Sequence, residues 1–136
     1  MAARHPAGAV RQTAPVIDHL GIEVTELARS AAFYDAVFFA IGVRRMHEGE
    51  HAIAYGVTAP TFWIVTRGRR PAPGYGHVAF RASGRVAVDG AYKAGLVNGG
   101  RDDGEPGPRP QYGPLYYAAY LLDPDGLRVE IVANSR

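Results

Sequence analysis

Hydrophobic and polar residues alternate over several short stretches of this chain, and two longer stretches follow a helical period. Residues 16–25 alternate and predict a strand that carries His19 on its polar face. Residues 28–41 predict a helix, because apolar residues such as Phe33 and Val37 recur every four positions and a glycine follows the last of them. Further strands are predicted at 43–47, 52–57 and 61–66.

The second half of the chain repeats this order. A strand is predicted at 77–82 and a helix at 86–97, and the offset 77 − 19 = 58 that places His77 on His19 also places Tyr92 on Tyr34. A Gly- and Pro-rich segment at 102–114, a loop or an irregular strand, is followed by strands at 115–122 and 127–133, which a tight Asp-Pro-Asp-Gly turn at 123–126 joins.

Each half therefore predicts the order strand–helix–strand–strand–strand, and the chain is expected to be an α+β protein built from two tandem βαβββ modules. We expect an N-terminal tail over residues 1–14 and a single domain over 15–136, with modules at about 16–67 and 74–134. If the sheet faces that the helices leave uncovered curve toward each other, they line a cleft into which His19 and His77 both project.

The last strand adds a carboxylate to this pair of histidines. Val129 and Ile131 take the core phase, so Glu130 points to the opposite side. Two imidazoles and one carboxylate are the ligands of a metal site with open positions, which suits Fe, Mn, Co, Ni or Zn better than Mg or Ca. The alternatives are two hydrogen-bonded structural histidines, and a Glu130 paired with Arg128 or Arg81.

The repeat places an aromatic residue where a fourth ligand would be expected. Ile131-Val132 matches Ile64-Val65 at an offset of 67, so Trp63 stands where Glu130 stands in the second half. Since an indole cannot bind a metal ion, two interpretations remain open. The site has three protein ligands with room for water and substrate, or the metal has been lost and Trp63 stacks against an aromatic ligand.

Composition narrows the function classes only moderately. The net charge of +2 over 136 residues is too small to indicate nucleic-acid binding, and no run of about 18 apolar residues predicts a membrane span. The chain has no cysteine, so disulfides and thiolate ligands are excluded. The N-terminal residues also lack the apolar run of a signal peptide, and we expect a cytoplasmic protein.

Four segments resemble the vicinal oxygen chelate superfamily, which includes glyoxalases, extradiol dioxygenases, and fosfomycin- and bleomycin-resistance proteins. They are the Asp18-His-Leu-Gly-Ile22 opening, the Arg29–Val37 helix, Gly76-His-Val-Ala-Phe80, and Leu122-Asp-Pro-Asp-Gly-Leu-Arg-Val-Glu-Ile131. The resemblance covers residues 16–132. It implies a U-shaped, cleft-lining mixed sheet, a homodimer, and one divalent metal ion held by His19, His77 and Glu130. The missing fourth ligand near Trp63 argues against a typical glyoxalase I.

On this basis we expect a metalloenzyme of the glyoxalase or dioxygenase type, whose metal binds two neighbouring oxygens of a small molecule. The rival hypothesis is a metal-free protein that sequesters a drug or antibiotic, as bleomycin-resistance proteins do. Glu130 and Glu23 are the candidate catalytic residues, with Glu23 as a candidate general base. The residues expected to contact the substrate are Trp63, Phe62, Arg109, Tyr112, Tyr117 and His51; Arg109, the candidate partner of a carboxylate or phosphate, could equally be a solvated loop residue.

Overall fold

The first module begins with a short strand and a helix and continues with three strands. A computed structural model describes residues 8, 11–72, 74 and 76–134, so most of the predicted N-terminal tail lies outside the described residues. The elements are β1 (Leu20–Glu23), α1 (Leu27–Ala40), β2 (Arg44–Glu48), β3 (Ala52–Gly56) and β4 (Pro60–Val65). Helix α1 ends as predicted, because Gly42 takes the left-handed conformation (φ 79°) that favours glycine.

The second module repeats these elements. They are β5 (His77–Arg81), α2 (Arg85–Val97), β6 (Arg101–Pro108), β7 (Tyr116–Leu122) and β8 (Arg128–Asn134). Strand β6 is irregular, with register shifts against β7 on both sides of Gly104. The predicted α+β class, the two tandem βαβββ modules and the mixed sheets are therefore confirmed.

Each module forms its own four-stranded sheet. The strand orders are β1-β4-β3-β2 and β5-β8-β7-β6, and in each sheet the first strand pairs in parallel with the last strand of its module. The registers confirm the alignment of the two halves. Gly21 lies opposite Trp63, and Ala79 lies opposite Glu130, so the offsets of 58 and 67 hold together in three dimensions.

The two modules share one hydrophobic core, in which the helices lie against each other. Gly95 of α2 permits this approach, because a Cβ there would stand 2.6 Å from Leu121 and 3.1 Å from Val37 of α1. Phe80 of β5 adds an edge contact across the modules, with its ring centroid 4.7 Å from that of Phe38. Apolar side chains from both helices and both sheets belong to this single core.

Buried polar contacts also join the modules at the Asp-Pro-Asp-Gly turn. Tyr34 of α1 donates a 2.6 Å hydrogen bond to Asp123, which is itself buried. Asp125 accepts hydrogen bonds from the backbone N–H and hydroxyl of Thr25 and from Arg29, at the start of α1. The turn of the second module is therefore hydrogen-bonded to the residues at which the first helix begins.

Because the helix-covered face of each sheet is directed into the shared core, the opposite face is directed away from it. We call these the open faces. Residues of β1 and β5 on these faces, among them Gly21, His77 and Ala79, are exposed. The sequence placed both open faces in one cleft of one chain, whereas here the helices and the core lie between them. Among the helices that the structure describes, none is long and apolar enough to cross a membrane.

Candidate functional site

The open face of the second sheet carries a histidine and a carboxylate in contact. His77 Nε2 lies 3.3 Å from Glu130 Oε1. The two side chains reach each other because β5 and β8 run in parallel. His77 lies opposite Arg128, and Glu130 follows Arg128 by two residues, so His77 and Glu130 are diagonal neighbours on one sheet face. The imidazole is half exposed, whereas only 3% of the Glu130 side chain is exposed. The predicted strand phases thus place both side chains on one sheet face, and their role as metal ligands stays a prediction.

Tyr116 contacts the second oxygen of the Glu130 carboxylate. Its hydroxyl donates a hydrogen bond to Glu130 Oε2. Burial, together with this bond to Glu130, raises the pKa of Tyr116 well above its usual range, so the phenol stays a donor at neutral pH. Tyr116 is not among the site residues that the sequence predicted. Strand alternation could have indicated its contact with Glu130, since Tyr116 and Tyr120 share a strand face and Tyr120 lies opposite Glu130.

His19 does not join this pair within one chain. It precedes β1, is exposed, and contacts its neighbour Asp18 at 2.7 Å. Among the described residues, no three His, Asp or Glu side chains are grouped closely enough to hold a metal ion. The expectation that one chain brings His19 and His77 into a common cleft is therefore wrong, because the shared core separates the two open faces.

Trp63 lies on the open face of the first sheet, where the repeat placed it. Its ring is tilted against that of His47 with 5.3 Å between the centroids. A register shift between Arg45 and His47 turns the imidazole to the side of Trp63, and such a bulge cannot be read from alternation alone.

Two of the six residues expected to contact the substrate face the core side instead. Phe62 is buried, with its ring centroid 5.0 Å from that of Phe80. Tyr117 donates a hydrogen bond to Asp89 of α2 and lies under Arg85. Both follow from strand alternation, because Phe62 adjoins Trp63 and Tyr117 adjoins Tyr116 on opposite faces.

The other expected contact residues lie at the surface or in the long loop. His51 is exposed on the turn before β3, near Glu50. Tyr112 is exposed and its ring lies 5.4 Å from that of Tyr116. Nη2 of Arg109 donates to the backbone carbonyls of Glu105 and Ala118, whereas its Nε is buried without a hydrogen-bond partner among the described residues.

Glu23 is unsuited to act as a general base. Its carboxylate receives hydrogen bonds from Arg69 at 2.8 and 3.2 Å, and Arg67 lies 3.9 Å away. The bond from Arg69 and the charges of both arginines lower the pKa of Glu23. A base needs a pKa near the working pH, and this pairing moves Glu23 in the opposite direction.

Comparison with known proteins places this geometry in a family. The family model of the Glyoxalase/Bleomycin resistance protein/Dioxygenase superfamily matches residues 16–131. The chain belongs to this superfamily. A search of curated proteins finds no match.

Solved structures support the same assignment. A glyoxalase/bleomycin resistance protein from Albidiferax ferrireducens T118 is 29% identical, with a TM-score of 0.78 over 89% of this chain and 100% of that one. A lactoylglutathione lyase from Agrobacterium tumefaciens is 18% identical, with a TM-score of 0.63 over 89% and 95%. A fosfomycin resistance protein from Mesorhizobium loti is also 18% identical, with a TM-score of 0.64 over 86% and 90%. The last two likenesses concern the fold alone.

Proposed function

We propose that this superfamily member is a metal-dependent enzyme that acts on a small molecule with two neighbouring oxygens. The observation that carries the proposal is the contact between His77 Nε2 and Glu130 Oε1 at 3.3 Å on an open sheet face. The buried Glu130 carboxylate receives only the Tyr116 hydrogen bond besides this contact among the described residues.

The spacing of these donors fits a divalent ion. Two ligand atoms that each lie about 2.1 Å from an ion stand roughly 3.0 to 3.4 Å apart in octahedral or tetrahedral geometry. The 3.3 Å separation between His77 and Glu130 falls within that interval. Tyr116 would orient Glu130, as hydrogen-bonded neighbours of ligating carboxylates commonly do. An imidazole and a carboxylate suit Fe, Mn, Co, Ni or Zn.

His19 completes this site in our proposal, but from a second copy of the chain. It is exposed at the position that matches His77, and within the described part of its own chain it forms no metal-binding group with the pair. If the open face of one first sheet meets the open face of the partner's second sheet, a two-fold homodimer contains two equal sites. Trp63 would then form an aromatic wall opposite Glu130 in each of them.

The bound metal would supply Lewis-acid polarisation of two neighbouring substrate oxygens. The chain itself supplies the ligands and, through Tyr116, a fixed carboxylate orientation. Trp63 and the exposed Tyr112 offer apolar contact area for the substrate. Since the chain has no cysteine, we place its activity in a reducing compartment such as the cytoplasm.

One observation favours a second function. Trp63, whose ring is tilted against that of His47, occupies the place at which the second module carries Glu130. A metal-free protein that sequesters a flat, aromatic molecule would use this wall directly.

Metal content measured by plasma mass spectrometry, on protein purified without chelators, tests the primary function. We expect about one ion per chain, and near-complete loss in His77→Ala and Glu130→Ala. His51→Ala is the matched control, because His51 is exposed on a turn. Failure of the wild-type protein to hold any of the five metals overturns the proposal and favours sequestration, which quenching of Trp63 fluorescence by aromatic ligands would then measure.

Mixed dimers test whether the site is shared between copies. Neither His19→Ala nor Glu130→Ala is expected to bind metal alone. Co-expressed, they form mixed dimers in which one of two sites is intact, so about a quarter of the wild-type metal should return for random pairing. A site within one chain would give no recovery.

A further inference from the structure

Arg128 lies beside the His77–Glu130 pair and has no role in holding it. It is the register partner of His77 and stands two residues before Glu130, so all three share the open face of the second sheet. The side chain is 44% exposed. The sequence offered Arg128 as a partner for Glu130, but Glu130 contacts Tyr116 and His77 instead.

Two contacts fix the direction of the Arg128 guanidinium. Its Nε donates a 2.7 Å hydrogen bond to Asp103 of β6, and its Cζ lies 4.1 Å from the centroid of the Tyr120 ring. Tyr120 lies directly opposite Glu130. The guanidinium is thereby held over a ring next to the carboxylate, and Nη1 and Nη2 make no hydrogen bond within the described residues.

The surrounding charge also favours an anion. Arg81 is exposed on the same face as His77, and the Arg109 guanidinium lies 5.6 Å from the Tyr120 ring centroid. Arg109 and Arg128 thus bring positive charge to the Tyr120 ring, near which Asp103 and Glu130 carry negative charge. A metal ion on Glu130 would add further positive charge, so this face attracts negatively charged molecules.

We propose that Arg128 determines specificity by binding a carboxylate or a phosphate-type group of the substrate. The inference rests on the proposed function for its place beside the reacting oxygens. A guanidinium with two free terminal nitrogens can hold either group bidentately. The substrate class is therefore an anionic molecule, whose charged group contacts Arg128 while its neighbouring oxygens face His77 and Glu130.

Isothermal titration calorimetry with benzoate, phenylphosphonate and neutral benzyl alcohol tests this assignment. We expect at least one of the anions to bind about tenfold or more tightly than the alcohol, and Arg128→Gln to abolish that preference. Arg128→Lys should retain part of it, since an ammonium keeps the charge but not the planar fork. The anion that binds more tightly distinguishes a carboxylate from a phosphate-type substrate.

Two control variants distinguish the effect of the position of Arg128 from the effect of the net charge of the protein. Lys93→Gln removes an equal charge from the exposed side of α2 and should leave anion binding unchanged. Asp103→Ala removes the oxygen that accepts from Arg128 Nε and so releases the guanidinium, and we expect weaker anion binding although a negative charge is lost. Stronger binding in Asp103→Ala, unchanged binding in Arg128→Gln, or equal binding of anions and alcohol by the wild type would overturn the assignment.

Titrations on chelator-treated protein keep this result independent of the metal proposal. Arg128→Gln should also retain the wild-type metal content, because Arg128 is not a ligand. Loss of anion preference with retained metal supports the assignment of Arg128. Retained anion preference in the same variant refutes it, whether or not the protein binds metal.

Discussion

At the scale of single residues, tyrosine hydroxyls repeatedly donate to carboxylates. Within the described part of the chain this is true of five pairs: Tyr34–Asp123, Tyr55–Asp35, Tyr92–Asp102, Tyr116–Glu130 and Tyr117–Asp89. Burial and the neighbouring negative charge raise the pKa of these tyrosines, which keeps their hydroxyls as donors. The consequence of each bond depends on how deeply its carboxylate is buried.

Tyr34 and Tyr92 allow that dependence to be measured, because the repeat places them at equivalent positions. Tyr34→Phe leaves the buried Asp123 without a side-chain donor and should lower the free energy of unfolding by about 1 to 3 kcal/mol at pH 7. Tyr92→Phe makes the same chemical change next to the exposed Asp102 and should cost less. Urea denaturation measures both, and equal costs would contradict the argument.

The cost of Tyr34→Phe should also depend on pH. Burial raises the pKa of Asp123 above its ordinary value of 3.8, whereas the Tyr34 hydrogen bond lowers it. A raised folded-state pKa means that stability is present at low pH and is lost as pH rises through that pKa. Removing the hydroxyl enlarges this loss, so the difference between wild type and variant should grow from about pH 4 toward neutrality.

At the scale of elements, the contact between the two helices depends on one glycine. Gly95 lies within α2, where glycine disfavours the helix, but it is buried against Leu121 and Val37. Gly90, one turn earlier, is exposed, and a Cβ there would be 3.9 Å from Ala40. The same residue type therefore has opposite consequences at two positions of one helix.

Gly95→Ala is expected to destabilise the protein by about 1 to 3 kcal/mol, because the new methyl group would stand 2.6 Å from Leu121 of β7 and 3.1 Å from Val37 of α1. Gly90→Ala is the matched control. It should stabilise the protein by roughly 0.5 to 1 kcal/mol, because alanine favours the helix and meets only ordinary contacts. Thermal and urea unfolding measure both changes, and a neutral or stabilising Gly95→Ala would show that Leu121 and Val37 can shift aside without cost.

At the scale of the whole molecule, one core joins two modules whose strands form separate sheets. Side chains of both modules belong to that core, and Tyr34–Asp123 crosses between them. Neither module could unfold alone without exposing apolar surface of the other. We therefore expect the chain to behave as a single cooperative unit although its sequence is a repeat.

Both modules should therefore unfold in one transition. Trp63, the only tryptophan, reports on the first module by fluorescence, and hydrogen exchange of the β7 amides reports on the second. We expect the two probes to give the same free energy of unfolding. Separate transitions, with β7 protected after Trp63 becomes exposed, would contradict the shared core.

The sequence alone determined the number, order and type of elements, because the periods of its apolar positions and the positions of its glycines are local properties. It also paired His77 with Glu130 and aligned Trp63 with Glu130, since strand phase and the internal repeat fix which residues share a face. Such patterns require no knowledge of how the modules meet.

Only the tertiary structure decided how the modules meet. Packing of α1 on α2 through Gly95 directs the two open faces away from each other, which separates His19 from His77 and Glu130. It also decided which polar side chains are engaged: Arg69 holds Glu23, and Asp103 holds Arg128. These contacts join residues far apart in the chain, and their geometry arises from the packing of whole elements, which no local pattern of residues encodes.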